Sequence, residues 1–254
     1  MKIGIVGLGL IGGSIYKTLK ALDKYEVVAV SSSVQEKNVS NDYGILTDCE
    51  LVFVCTPMNA TLEILDKLES FLSPNTIVTD VCSLKEFVSQ KQYSYKFIPS
   101  HPMAGTEKSG WKNSFSGLFD GAKWVITPID SKIIDEQEIL ESVIEAMNAK
   151  IVITTAAEHD KAVALVSHMP MVIAQALCKN IKNNSLAQEL ASSGFRDTTR
   201  LALSNTQMAN DMVQLNTRNI NTALTSLQSC LKDLLDNDYL LKTEQIKKFR
   251  QNLY

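Results

Sequence analysis

Only three histidines occur in the 254 residues, and one of them, His101, stands in the stretch Ser100-His101-Pro102-Met103-Ala104-Gly105-Thr106-Glu107-Lys108-Ser109-Gly110. A neutral imidazole can take a proton near pH 7, so a histidine followed closely by a hydroxyl, an acid and a base has the parts for general-base chemistry. The stretch has no helical or strand periodicity, and it reads as a working loop. The plainer alternative is a surface turn whose polar groups satisfy their own backbone. A second histidine, His168, interrupts an apolar helical pattern in Ser167-His168-Met169-Pro170. Two arginines, Arg196 and Arg200, follow a glycine turn in Gly194-Phe195-Arg196-Asp197-Thr198-Thr199-Arg200. Guanidinium is the side-chain group best shaped to hold a carboxylate through two bonds.

A different chemistry opens the chain. Lys2 to Val6 is a β-branched apolar run, followed at once by Gly7-Leu8-Gly9-Leu10-Ile11-Gly12-Gly13 and then by a helix over Ser14 to Ala21 and a strand over Glu26 to Val30. Glycines at a strand-to-helix turn permit the bend, let backbone approach a pyrophosphate and let helix and strand pack closely. The helix start adds unpaired N–H groups and a partial positive charge. Gly7, Leu8, Gly9, Leu10, Ile11 and Gly12 are therefore candidate dinucleotide contacts. The second strand ends in Ser31-Ser32-Ser33 with neither the acid that favours NAD nor an arginine for the 2′-phosphate of NADP; the serines and Lys37 could still contact that phosphate. Both cofactors stay open.

Strands at Leu51 to Cys55, Thr76 to Val81, Phe97 to Pro99, Trp124 to Thr127 and Ile151 to Thr154 alternate with helices at Asn59 to Phe71, Lys85 to Gln90 and Asp135 to Met147. This is the α/β pattern of a doubly wound, Rossmann-type parallel sheet. Its ligands should sit at the carboxyl ends of the strands, where the glycine loop, Thr56-Pro57, Asp80 to Lys85 and the His101 stretch all fall. After about residue 155 the patterns are helical only: Glu158 to Lys182, Ser185 to Ala191, Asn205 to Leu235 and Tyr239 to Asn252. The expected organisation is a dinucleotide-binding domain over 1–155 and an all-α substrate and dimerisation domain over 156–254. Leu and Met stripes such as Leu201, Met208, Met212 and Leu215 suit packing against a second copy, so a homodimer is expected.

A formal charge of −3 offers no footprint for nucleic acid. No basic leader precedes an apolar run at the N-terminus, and no span of ~18 apolar residues is evident, so neither export nor a membrane is expected. Five scattered cysteines without a C-x-x-C pair fit reduced thiols in the cytoplasm. No metal site is expected.

The chain resembles the prephenate/arogenate dehydrogenase family of tyrosine biosynthesis. The likeness rests on GLGLIGGS at 7–14, DVCSLK at 80–85, HPMAGTEKSG at 101–110, Glu158-His159-Asp160 with Ser167-His168-Met169-Pro170, and GFRDTTRLA at 194–202. It implies NAD(P)-dependent oxidative decarboxylation, in which hydride leaves the carbon bearing the ring hydroxyl and the ring carboxylate departs as carbon dioxide. It also implies that His101 accepts the hydroxyl proton, that Ser83 orients His101, and that Arg200 binds substrate carboxylate. His168, Thr106, Glu107 and Gly194 fall on the substrate side of the same likeness, and Ser31, Ser32, Thr56 and Pro57 on the cofactor side. The chain departs from the family pattern at Ser193 and over Ser204 to Ala209, both expected to border the substrate side chain, which leaves prephenate and arogenate as alternatives. No fused mutase or ligand-sensing module is expected after Tyr254. Two other readings remain: a hydroxyisobutyrate-type dehydrogenase, for which Lys161 is the nearest candidate lysine, and a non-catalytic dinucleotide-sensing module.

Overall fold

In the computed structural model, which describes residues 1–106, 108–129, 133–236 and 238–253, two faces of one sheet carry most of the core. The strands β1 (Lys2–Val6), β2 (Glu26–Val30), β3 (Val39–Ser40), β4 (Leu51–Val54), β5 (Ile77–Asp80) and β6 (Lys96–Phe97) run parallel in the order β3-β2-β1-β4-β5-β6. Successive side chains point to opposite faces. Ile3, Ile5, Val27, Ala29, Leu51 and Phe53 meet the helices α1 (Leu10–Ala21) and α3 (Ile134–Ala146) on one side. Val6, Val28, Val30, Val52, Val54 and Val78 meet α2 (Met58–Leu68) on the other. Near-continuous apolar runs are what a sheet covered on both faces requires.

The glycine run is more helical than the sequence reading has it, since α1 starts at Leu10 and takes in Gly12 and Gly13. The larger correction concerns His101. Ile98 donates the last ladder bond to Val78, and Pro99 has no N–H to continue it, so the chain leaves the sheet. It resumes as β7 (Ser100–Pro102), antiparallel to β8 (Lys123–Ile126), which pairs parallel with β9 (Lys150–Ile153). His101 thus lies on a strand of a second, mixed three-stranded sheet opposite Val125, and only the residues after Pro102 form the loop. A strand of three residues between prolines is too short to show alternation.

The helical region begins with α4 (Ala156–Val163), whose N-terminus is closed by a reciprocal Thr155/Glu158 capping box. A π turn over Ala164–His168 joins α4 to α5 (Met169–Ile181). Pro170 removes one helical donor and crowds the carbonyl four residues back, which accounts for the widened turn. Then follow α6 (Ser185–Glu189), α7 (Ser193–Thr198), a 3₁₀ turn at Arg200–Leu203, the long α8 (Thr206–Leu235) and α9 (Tyr239–Gln251). A small core of Met58, Cys82, Leu84, Val163, Met171, Ala209 and Met212 fastens α4, α5 and α8 to the ends of β4 and β5.

One helical stretch, Ala156–Ile181, is long and apolar enough to cross a membrane by length and composition alone, a test that a core helix also passes; 28% of its most apolar window is buried. Its uncovered residues include Leu165 and Val166, 50% and 68% exposed, and further apolar side chains stand out at Leu203, Leu235, Leu240 and Phe249.

Candidate active site

The glycine turn has the shape of a phosphate cradle. Gly7 adopts φ +93°, a conformation favouring glycine, and a Cβ there would come within 2.8 Å of the Cys55 carbonyl oxygen. A Cβ on Gly12 would fall 2.0 Å from the Gly7 carbonyl oxygen, so the first turn of α1 packs directly on the loop. Gly9, the N-cap of α1, faces open space and offers no side chain to cap the helix, leaving the first-turn N–H groups for a ligand. Leu8 is buried, while Gly9, Leu10 and Ile11 are partly exposed. Thr56, joined to Thr61 by a 3.1 Å hydroxyl contact, and Pro57 follow β4 beside this loop. Ser31 and Ser32 follow β2; the Ser31 hydroxyl accepts a bond from the Ser33 N–H, and Ser32 is exposed. A dinucleotide fits this donor-rich, side-chain-free corner.

His101 is held from beneath and from behind. Beneath it, the Ser100 hydroxyl donates to the Asp80 carbonyl oxygen at 2.9 Å and accepts from the Trp124 indole at 2.9 Å. The fully buried Lys85 ammonium ion-pairs with Asp80 and donates to the Ser100 carbonyl oxygen at 2.7 Å. Behind it, His101 Nδ1 lies 3.0 Å from His159 Nε2, and His159 Nδ1 lies 2.7 Å from Asp160 Oδ1. Asp160 also accepts the backbone N–H groups of Lys85 (2.8 Å) and Glu86 (2.9 Å). Burial, then the neighbouring His159, Lys85 and His168, hold the His101 pKa well below the usual imidazole range. The ring is therefore neutral at pH 7, as a general base must be.

His168 sits on the π turn, 1% exposed. The Asn216 amide contacts its Nδ1 at 3.1 Å and donates to the Asp160 carbonyl oxygen at 2.9 Å, from a kink in α8 where Asn216 leaves helical geometry. Its Nε2 is buried without a partner. Burial chiefly, helped by His159 and opposed by Asp160, lowers its pKa to about 4.

The family resemblance implies that Ser83 orients His101. Ser83 Oγ instead lies 3.4 Å from Met58 Sδ, and the group bonded to His101 is His159. His159 and Asp160 were visible as a motif but carried no role, because only folding shows that α4 reaches across to β7. Asn216, fourteen residues past the motif that ends at Ala202, gave no signal. Thr106 is exposed and accepts from the Lys108 N–H; Glu107 lies outside the described residues. Gly194 and Arg200 are exposed on the helical region, with Arg200 next to Leu201, which packs against the small core under the site. Lys161, the residue a hydroxyisobutyrate-type enzyme would need, is exposed next to the buried Asp160. Among the described residues no His, Cys, Asp and Glu cluster suits a metal.

A glycine cradle at the carboxyl edge of a doubly wound sheet, followed by a helical region, defines a nucleotide-binding protein of two parts. Residues 17–153 match the family description "Prephenate dehydrogenase, nucleotide-binding domain" and residues 155–254 match "Prephenate dehydrogenase, dimerization domain". The chain belongs to the prephenate dehydrogenase family. It is 33% identical over 223 residues to the prephenate dehydrogenase of Lactococcus lactis subsp. cremoris, covering 79% of this chain and 61% of that protein. Among solved structures it is similar to the arogenate dehydrogenase of Synechocystis, with 34% identity, a TM-score of 0.82 and coverage of 100% of this chain and 96% of that one. It is also similar to prephenate dehydrogenase from A. aeolicus in complex with hydroxyphenyl propionate and NAD+, with 25% identity, a TM-score of 0.87 and coverage of 100% and 98%. The chain spans about three fifths of the length of the first curated relatives it matches, 61% and 62%.

Proposed function

We propose that this chain is an NAD(P)-dependent prephenate dehydrogenase that converts prephenate to 4-hydroxyphenylpyruvate and carbon dioxide. The observation that carries the reading is a neutral, partly buried His101 held by His159 in a chain that also has a glycine phosphate cradle and whose two halves both match that family. Gly7 to Gly12, Ser31, Ser32, Thr56 and Pro57 hold the dinucleotide, which supplies the hydride acceptor. His101 takes the proton of the ring hydroxyl as the carbon beneath it is oxidised. When the ring carboxylate leaves as carbon dioxide, its electron pair enters the ring, and the resulting phenolate oxygen takes the proton back from His101. No net proton is released. Arg200 binds a substrate carboxylate, and His168, Thr106, Glu107 and Gly194 border the substrate.

The similarity to the Synechocystis enzyme over the full length of both chains favours a second reading, arogenate as substrate. The exposed apolar side chains of the Ala164–His168 turn, α8 and α9 support a homodimer through the helical region, and five free cysteines support a reducing, cytoplasmic setting. His101→Asn is expected to abolish turnover, by about 10²-fold or more, and to leave dinucleotide affinity within twofold, because the imidazole acts on substrate. A variant that turns over normally removes His101 from the chemistry.

A further inference from the structure

We infer that His159 and Asp160 form a positioning dyad that fixes the tautomer of His101 and leaves its Nε2 as the proton-accepting atom; the inference rests on the proposed role of His101. The argument starts at Asp160, which is 3% exposed. Its two oxygens already accept the N–H groups of Lys85 and Glu86, so the carboxylate serves as an acceptor toward its third partner. The proton in the 2.7 Å contact with His159 therefore belongs to His159 Nδ1. With that hydrogen on Nδ1, the His159 Nε2 serves as the acceptor, and the 3.0 Å contact with His101 Nδ1 requires that His101 donate. The two rings meet edge to face at 80°, as a bond in the plane of one ring allows. With Nδ1 committed as donor, His101 has its lone pair on Nε2, and no described residue bonds to that atom. A proton arriving there leaves Nδ1–H pointed at His159 and, one ring further, at the Asp160 charge.

The dyad also crosses the domain boundary. His159 and Asp160 belong to α4, whereas the N–H groups they hold follow β5 and the ring they hold is on β7. Asn216 fixes the Asp160 backbone from α8. The base is consequently oriented by the helical region and not by the sheet that carries it.

Three histidines make the test tractable. The full chain labelled with ¹⁵N-histidine is examined at pH 7 by long-range proton–nitrogen correlation, with His101→Asn and His159→Gln spectra assigning the rings. We expect His101 and His159 as Nδ1–H tautomers and His168, which accepts from Asn216, as the Nε2–H tautomer. Asp160→Leu removes the acceptor from His159 Nδ1, so both rings should lose their preference for the Nδ1–H tautomer. The kcat should fall by about 10²-fold or more, while KM and dinucleotide affinity stay within twofold; loss of the correct tautomer at a catalytic imidazole elsewhere costs on the order of 10⁴. His159→Gln, whose amide oxygen can accept from His101 Nδ1, should keep that tautomer and hold kcat within about tenfold of the unsubstituted chain, while His159→Phe should fall by about 10²-fold. A His101 ring found with Nδ1 bare, an Asp160→Leu enzyme as fast as the parent, or equal activity in the Gln and Phe variants overturns the inference. If the parent chain turns over neither prephenate nor arogenate, the functional reading fails, yet the tautomers still decide the dyad.

Discussion

Replacing Lys85 by Met leaves the Asp80 carboxylate buried without a counter-charge, since both side chains are 0% exposed and each is the other's ion-pair partner. Removing one member of such a pair costs about 3–5 kcal/mol, because the desolvated survivor is uncompensated. Asp80 keeps the Cys82 N–H at 2.9 Å and the Ser100 N–H at 3.3 Å, which soften the loss without cancelling the charge. For a chain of this size, that cost corresponds to a fall in Tm of ~6–20 °C. The second variant tests the reasoning. In Asp80→Asn/Lys85→Met the amide oxygen still accepts from Cys82, and the amide N–H₂ can donate to the Ser100 carbonyl oxygen that Lys85 relinquished. The residual cost should be the ~1–2 kcal/mol of one or two weakened hydrogen bonds. The double variant should therefore be more stable than Lys85→Met alone by about 2 kcal/mol. Urea titration followed through the buried Trp124 measures both. A double variant less stable than the single, or a single variant within ~1 kcal/mol of the parent, refutes the account of the pair.

Other outcomes follow from the same geometry. Gly12→Ala sets a methyl 2.0 Å from the Gly7 carbonyl oxygen, so dinucleotide affinity measured by fluorescence titration should drop by about tenfold or more, and an unchanged affinity would contradict the cradle. His168 titrates near 6.5 when unfolded and near about 4 when folded. Its folded pKa is the lower one, so stability is intact above pH 6.5 and falls by up to ~3 kcal/mol as the pH drops toward 4; this loss should shrink in His168→Gln, and an equal loss in both would refute it. Val166→Glu puts a charge on the exposed apolar face of Ala164–His168. Under the proposed homodimer it should lower the sedimenting mass from dimer to monomer, and an unaltered mass would count against an interface on this face.

Much of the fold was legible because its strands are unusually plain. Val27 to Val30 and Leu51 to Val54 are apolar on both faces, which only a sheet covered on both sides tolerates, and the glycine turn sits where such a sheet binds nucleotides. The second sheet was not legible, since β7 is three residues long and owes its existence to Pro99 ending the ladder and to Ser100 bonding Asp80. The site divides in the same way. His101 and the glycines announce themselves by type and spacing, but the group that orients His101 comes from 58 residues further along, and neither periodicity nor local motif encodes that approach.

The central claim is the oxidation itself, and the direct measurement is an initial-rate assay of the purified chain with prephenate and with arogenate, each against NAD and NADP, following the reduced nicotinamide by its absorbance. The account predicts turnover with at least one substrate and one cofactor, with carbon dioxide released in step with the reduced dinucleotide. Four flat traces from a chain that still binds a dinucleotide would contradict it.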